Sequence, residues 1–142
     1  MTNFIAFQLN VVPPRSTHQM RQRLYTVGGK ARMYTSRTNK AAVESQTLLE
    51  LIRPHRPAEP MTGPLRLCVS WYYPYRKSEP KKNRTEDLWC DTRPDCDNLT
   101  KGLCDILTTL QFWGNDSQVA NLQFKKKWVE TPRIEILIRK LT

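Results

Sequence analysis

Histidine is scarce in this chain: its 142 residues contain two, His18 and His55, and neither has a carboxylate placed to activate it. Acid–base catalysis by imidazole is therefore not expected. The four cysteines, Cys68, Cys90, Cys96 and Cys104, form no Cys-x-x-Cys pair and have no histidine at ligand spacing, which argues against a structural zinc site. In a reducing compartment they are expected as free thiols, with a Cys90–Cys96 disulfide as the alternative. No apolar run approaches the roughly 18 residues that a membrane-spanning helix needs. The apolar start at Phe4 soon meets Pro13 and Pro14 without a cleavage-site pattern. A soluble, cytoplasmic protein with no membrane partner is expected. The chain has no internal repeat, no low-complexity tract and nothing like a nucleotide-binding loop, so no small-molecule cofactor is expected either.

Acid is in short supply as well. There are 13 Asp and Glu against 23 Lys and Arg, a formal net charge of +10. That balance favours nucleic acid or another anionic surface as partner; its plainer reading is solubility alone. With 39% hydrophobic residues the length suffices for one core and not comfortably for two, so residues 1–142 are read as one domain.

The elements follow from periodicity and punctuation. Residues 4–11 are rich in strand formers and are closed by Pro13 and Pro14. Residues 15–37 read as a loop or irregular hairpin in which Arg21, Arg23, Lys30, Arg32 and Arg37 mingle with Tyr25, Met33 and Tyr34, a mixture suited to phosphate contact and base stacking. Asn39 can cap a helix over residues 40–53, with Ala41, Ala42, Leu48, Leu49 and Ile52 as its apolar stripe. After a proline-rich connection at 54–64, alternation from Leu65 to Tyr73 predicts a strand with one face on a core. Residues 75–93 lack periodicity and carry a dense basic run, so they are expected to be mobile without a substrate. A helix over residues 97–110 follows, and then a turn at Phe112, Trp113 and Gly114. Two strands come last, with Leu122, Phe124 and Trp128 on one face of the first and Ile134, Ile136 and Ile138 on one face of the second. The bend at Thr131-Pro132 predicts that these two pair antiparallel. The fold class is α/β (α+β), with a mixed sheet, two main helices and a C-terminal antiparallel hairpin.

One stretch concentrates acid in this basic chain: Pro94-Asp95-Cys96-Asp97-Asn98-Leu99-Thr100-Lys101, followed one helix later by Asn115-Asp116-Ser117-Gln118. On a helix beginning at Asp97, residues Leu99, Leu103, Ile106, Leu107 and Leu110 share one side, while Asp97, Lys101 and Asp105 share the other. Gly102 costs about 1 kcal/mol relative to Ala in a helix interior and leaves room for close approach to the backbone. Asp97 can serve as a ligand or as the helix cap, whereas Asp95, behind Pro94, has no cap to serve. Lys101 can neutralise charge on a phosphate or form an i, i+4 ion pair with Asp97 or Asp105. Mg2+ takes oxygen ligands and retains waters, so carboxylates from Asp95, Asp97 and Asp116 can hold it and leave room for a phosphate and an attacking water. This is the outline of a metal-dependent nuclease.

The same residues, with Asp105, Trp113 and the run Asp116-Ser117-Gln118-Val119, resemble the RusA family of Holliday junction resolvases. The likeness extends more loosely over most of the chain, including Tyr34-Thr35, Gly63-Pro64-Leu65 and the final hairpin with Lys126. The resemblance implies that Asp95, Asp97 and Asp116 are metal-binding catalytic carboxylates, that Lys101 is required for cleavage, and that Asn98 and Asp105 support the site. It also implies Mg2+, or Mn2+ in its place, a homodimer, and a four-way or branched DNA junction cut by paired nicks, in a protein of bacterial or phage origin. Candidate DNA contacts are then Arg21, Arg23, Arg32, Lys81, Lys82, Arg84 and Lys126, with Trp89 as a stacking candidate. Two departures stand out. Asn115 occupies a position where relatives often have a second Asp, and the basic segment 76–93 is longer than in compact members. The rival readings are a basic nucleic-acid-binding module that never cuts, and a Mg2+ enzyme acting on a nucleotide-linked substrate.

Overall fold

The computed structural model describes residues 2–17, 21–36 and 39–142; His18 and Arg37 lie outside the described residues. The elements in chain order are β1 (Phe4–Leu9), β2 (Arg21–Val27), β3 (Lys30–Ser36), α1 (Asn39–Ile52), β4 (Leu65–Pro74), β5 (Leu88–Trp89), α2 (Cys96–Thr109), β6 (Val119–Val129) and β7 (Arg133–Lys140). Five strands form one sheet in the order β1-β7-β4-β6-β5, and β2 and β3 form a separate two-stranded sheet. Only β4 and β6 run parallel. Parallel neighbours cannot be joined by a tight turn, so the chain between them crosses the sheet, and α2 is that crossing.

The β4 alternation decides which face is covered. Leu65, Leu67, Val69, Trp71 and Tyr73 are buried, while Arg66, Cys68 and Ser70 on the other face are half-buried. Ile134, Ile136 and Ile138 of β7 join the buried side. Both helices pack there: Leu48 and Ile52 from α1, and Leu99, Leu103, Ile106, Leu107 and Leu110 from the α2 segment. Each fully buried Leu or Ile contributes of order 1.5–3 kcal/mol. Among the described residues no helix packs on the opposite face of the sheet. No helix among the described residues is long and apolar enough to cross a membrane.

Several expectations change. Residues 21–36 make a regular antiparallel hairpin, turned by Gly28 and Gly29 at φ +57° and +77°; such a two-residue turn requires left-handed backbone at both centres, which glycine takes without strain. In α1, Ala42 is exposed and Leu49 half-buried, so the buried stripe is Ala41, Leu48 and Ile52. The last two strands do run antiparallel, but β4 lies between them, because residues 130–132 carry the chain past the Pro74 end of β4. Leu122 and Phe124 face the core side by register with Leu67 and Val69, yet they are 44% and 39% exposed. The reason is that β5 covers β6 only at its far end, pairing with Trp128 and Lys127. Finally, residues 75–93 are not structureless. The Arg84 guanidinium donates to the carbonyls of Glu79 (3.0 Å), Arg76 (3.0 Å) and Lys77 (3.4 Å), and the Tyr75 hydroxyl donates to the Glu86 carbonyl.

Candidate active site

Helix α2 starts one residue earlier than the sequence predicts. Asp95, not Asp97, holds the N-cap position, with extended backbone (φ −68°, ψ 140°), and its side chain makes no capping hydrogen bond. A cap aspartate normally accepts from an amide of the first turn. Here that carboxylate is left free, and Asp97 in the first turn is exposed beside it. The loop that delivers Asp95 is clamped from the neighbouring strand: Lys126 of β6 donates its ammonium to the carbonyls of Pro94 (2.7 Å) and Thr92. Behind the acids, Thr100 is buried and satisfies its hydroxyl on the Cys96 carbonyl at 2.9 Å.

Lys101 and Asp105 follow on the exposed side of α2, as predicted, and Lys101 forms no ion pair with Asp97 or Asp105 among the described residues. Asn98 and Gly102 instead line a small cleft between the two helices, shared with Ser16 and Thr17. Among the described residues, nothing outside the helix's own nearby backbone lies within 4 Å of where a Gly102 Cβ would sit. Glu44 of α1 holds the strand-to-hairpin segment there, accepting from the Arg15 amide (2.7 Å) and the Ser16 hydroxyl. Arg15 and Ser16 are thus tied to α1 beside that cleft.

Asp116 opens the short 3-10 turn Asp116–Gln118 that leads into β6. Burial pushes the Cys104 thiol of α2 up to about 11, and the carboxylates of Asp116 and Asp105 add to the rise. Cys104 is two helical turns beyond Asp97, about 10 Å at 1.5 Å per residue. Among the described residues, no three His, Cys, Asp or Glu side chains group closely enough to hold a metal ion. Asp95, Asp97 and Asp116 form no such group among the described residues. All four cysteines are free.

Two residues have positioning roles that the sequence did not reveal. Gln118 accepts from the amides of Gly114 (2.9 Å) and Asn115 (3.1 Å) and donates to the carbonyls of Met61 and Gly63, both at 3.1 Å. With Asn115, which accepts from the Ser117 amide at 2.8 Å, it forms a capping box around Asp116. Gln118→Ala should lower stability by about 2 kcal/mol, the net worth of a few part-exposed hydrogen bonds. Thermal unfolding checks this, since an unchanged melting temperature means that water replaces the amide. Lys126 is the second: its ammonium holds the loop before Asp95. Arg84 is likewise committed to its own loop, whereas Lys81 and Lys82 are exposed.

Residues 12–139 match the family described as Endodeoxyribonuclease RusA. The chain belongs to the RusA family. Two relatives bracket the likeness within it. The crossover junction endodeoxyribonuclease rusA of Lactococcus phage r1t is 34% identical over 135 residues, 93% of each chain. The uncharacterized protein YqaN of Bacillus subtilis (strain 168) is 39% identical over 94 residues, covering 62% of this chain and 66% of that protein, just under two thirds of its length. The RusA match includes the whole acidic run from Asp95 and the later Asp116.

Proposed function

We propose that this RusA-family chain is a Mg2+-dependent endonuclease that resolves four-way DNA junctions by paired incision, as a homodimer acting in the cytoplasm of a bacterial cell. Family membership supports the reaction class, and the uncapped Asp95 beside exposed Asp97 is the observation that carries the site. Mg2+ is commonly held by one or two carboxylates together with waters and substrate phosphate. Asp95 and Asp97 fit that demand. When bound, the ion supplies charge that polarises the scissile phosphate, a task Mn2+ can share.

The reaction is phosphodiester hydrolysis, in which water adds to phosphorus as the bond to the leaving oxygen breaks. Lys101, one turn beyond Asp97 on the exposed face and free of a carboxylate partner among the described residues, neutralises charge developing on the phosphate. Asp105, one turn beyond Lys101 on the same exposed face, and Asn98, in the cleft between the helices, support the site. Asp116 finds its role in assembly. Two α2 helices packed side by side across a two-fold axis perpendicular to them would run antiparallel, which would bring Asp116 of each protomer toward Asp95 and Asp97 of the other. The approximate two-fold symmetry of a junction matches two such sites.

Incubation with a synthetic four-way junction and a matched linear duplex, each with Mg2+ or with chelator, tests this reading. Paired nicks are expected only for the junction with Mg2+. Tight, salt-sensitive binding with no cut under either condition would make the chain a binding module instead.

A further inference from the structure

The helix-free face of the five-stranded sheet has no role in the site just described, and its composition is not that of an idle surface. By register, Arg66 of β4 sits beside Arg139 of β7 at one end, while Arg133 of β7 and Lys127 of β6 sit beside Tyr72 of β4 at the other, with Lys125 next to them. The acid Glu135 is the counterweight, paired with Arg133 at 3.6 Å. Among the described residues, Arg66, Lys125, Lys127 and Arg139 have no carboxylate partner.

Four of these cations, Lys125, Lys127, Arg133 and Arg139, lie against aromatic rings and are not left on flexible tethers. The Arg133 guanidinium lies 4.2 Å from the Tyr72 ring centre, with Lys125 at 5.9 Å from the same ring. Lys127 lies 4.2 Å from Trp89, and Arg139 lies 5.6 Å from Phe4. Such contacts fix the charges and leave their outer sides open. Trp89 itself is 69% exposed, at the sheet edge from which the chain continues to Asp95.

We infer that this face binds a duplex arm of the DNA substrate, an inference that rests on the nuclease reading above. Five cations against one carboxylate match a polyanion in charge. The two basic ends are six residues apart along β4, about 20 Å at 3.3 Å per residue, which spans roughly six base-pair steps of 3.4 Å. A duplex lying along the strands therefore meets phosphates at both ends. A second copy of the chain is a poor occupant, because two-fold contact would set five cations against five. The exposed apolar side chains Leu122 and Phe124 lie on the other face.

The test is a triple variant, Lys125→Gln, Lys127→Gln and Arg139→Gln, which spares ion-paired Arg133 and removes no core side chain. Its control is Lys40→Gln, Arg53→Gln and Arg56→Gln, which takes three charges from the helix side. Binding of the synthetic junction and of a linear duplex is measured in chelator across a salt series, with thermal unfolding to confirm that each variant is folded. Each lost phosphate contact lowers the slope of log K against log salt by about 0.9. The platform variant should lose between about 2 and 3 from the slope on both DNAs, and the control should match wild type. Equal slopes for wild type and platform variant, or equal losses in both variants, overturn the platform. A change in oligomeric state by sedimentation in the platform variant alone would make the face a contact between copies and also overturn it. If wild type binds junction DNA but never cuts with Mg2+, the nuclease reading fails while the slope comparison still decides the platform.

Discussion

Replacing Asp95 with asparagine should leave junction affinity unchanged or slightly tighter while lowering the cleavage rate by roughly 10^3-fold, the effect of losing about 4 kcal/mol of electrostatic stabilisation at the reacting phosphate. The affinity half of this expectation follows from charge. The substitution removes one negative group from a site meant to receive a phosphate and leaves every cation in place. The rate half follows from the helix start, because the Asp95 side chain makes no capping bond whose loss could be confused with loss of chemistry. Single-turnover cleavage with saturating enzyme, beside a binding titration in chelator, separates the two. Cutting at the wild-type rate would remove Asp95 from the reaction, and a fall in melting temperature as large as that expected for Gln118→Ala would turn it into a folding residue.

Mixing two inactive variants should restore activity if sites are shared between protomers. Asp95→Asn and Asp116→Asn are each expected to be inactive alone. Subunit exchange then produces mixed dimers in which one site carries both changes and the other carries neither. Such a dimer has one intact site, so it should nick one strand of a junction and leave the partner strand uncut. Recovery of single nicks by the mixture, with none from either parent, is the expected outcome on a denaturing gel. If both parents are inactive and the mixture stays inactive after exchange is verified by sedimentation or tagged pull-down, all three aspartates act within one chain.

Much of the scaffold was legible because burial imposes simple periods. The β4 alternation and the α2 leucines were both placed on the correct faces, since each element has one side to hide. The hairpin was less readable. Its strands are polar and cationic, and its clearest signal was the pair Gly28-Gly29 between Val27 and Lys30. Residues 75–93 looked structureless because their order comes from side chains reaching backbone carbonyls, Arg84 three of them and Tyr75 another, which no local pattern announces. Lys126 shows the same limit from the other direction: a sequence records its charge but not that the charge points at Pro94.

The outer margin of β6 before Lys126 has consequences beyond catalysis. It offers free amides and carbonyls beside Leu122 and Phe124, the ingredients of edge-to-edge aggregation. The net charge of +10 keeps such margins apart in dilute buffer. Concentrated salt screens that repulsion, so colloidal stability in this molecule depends on ionic strength.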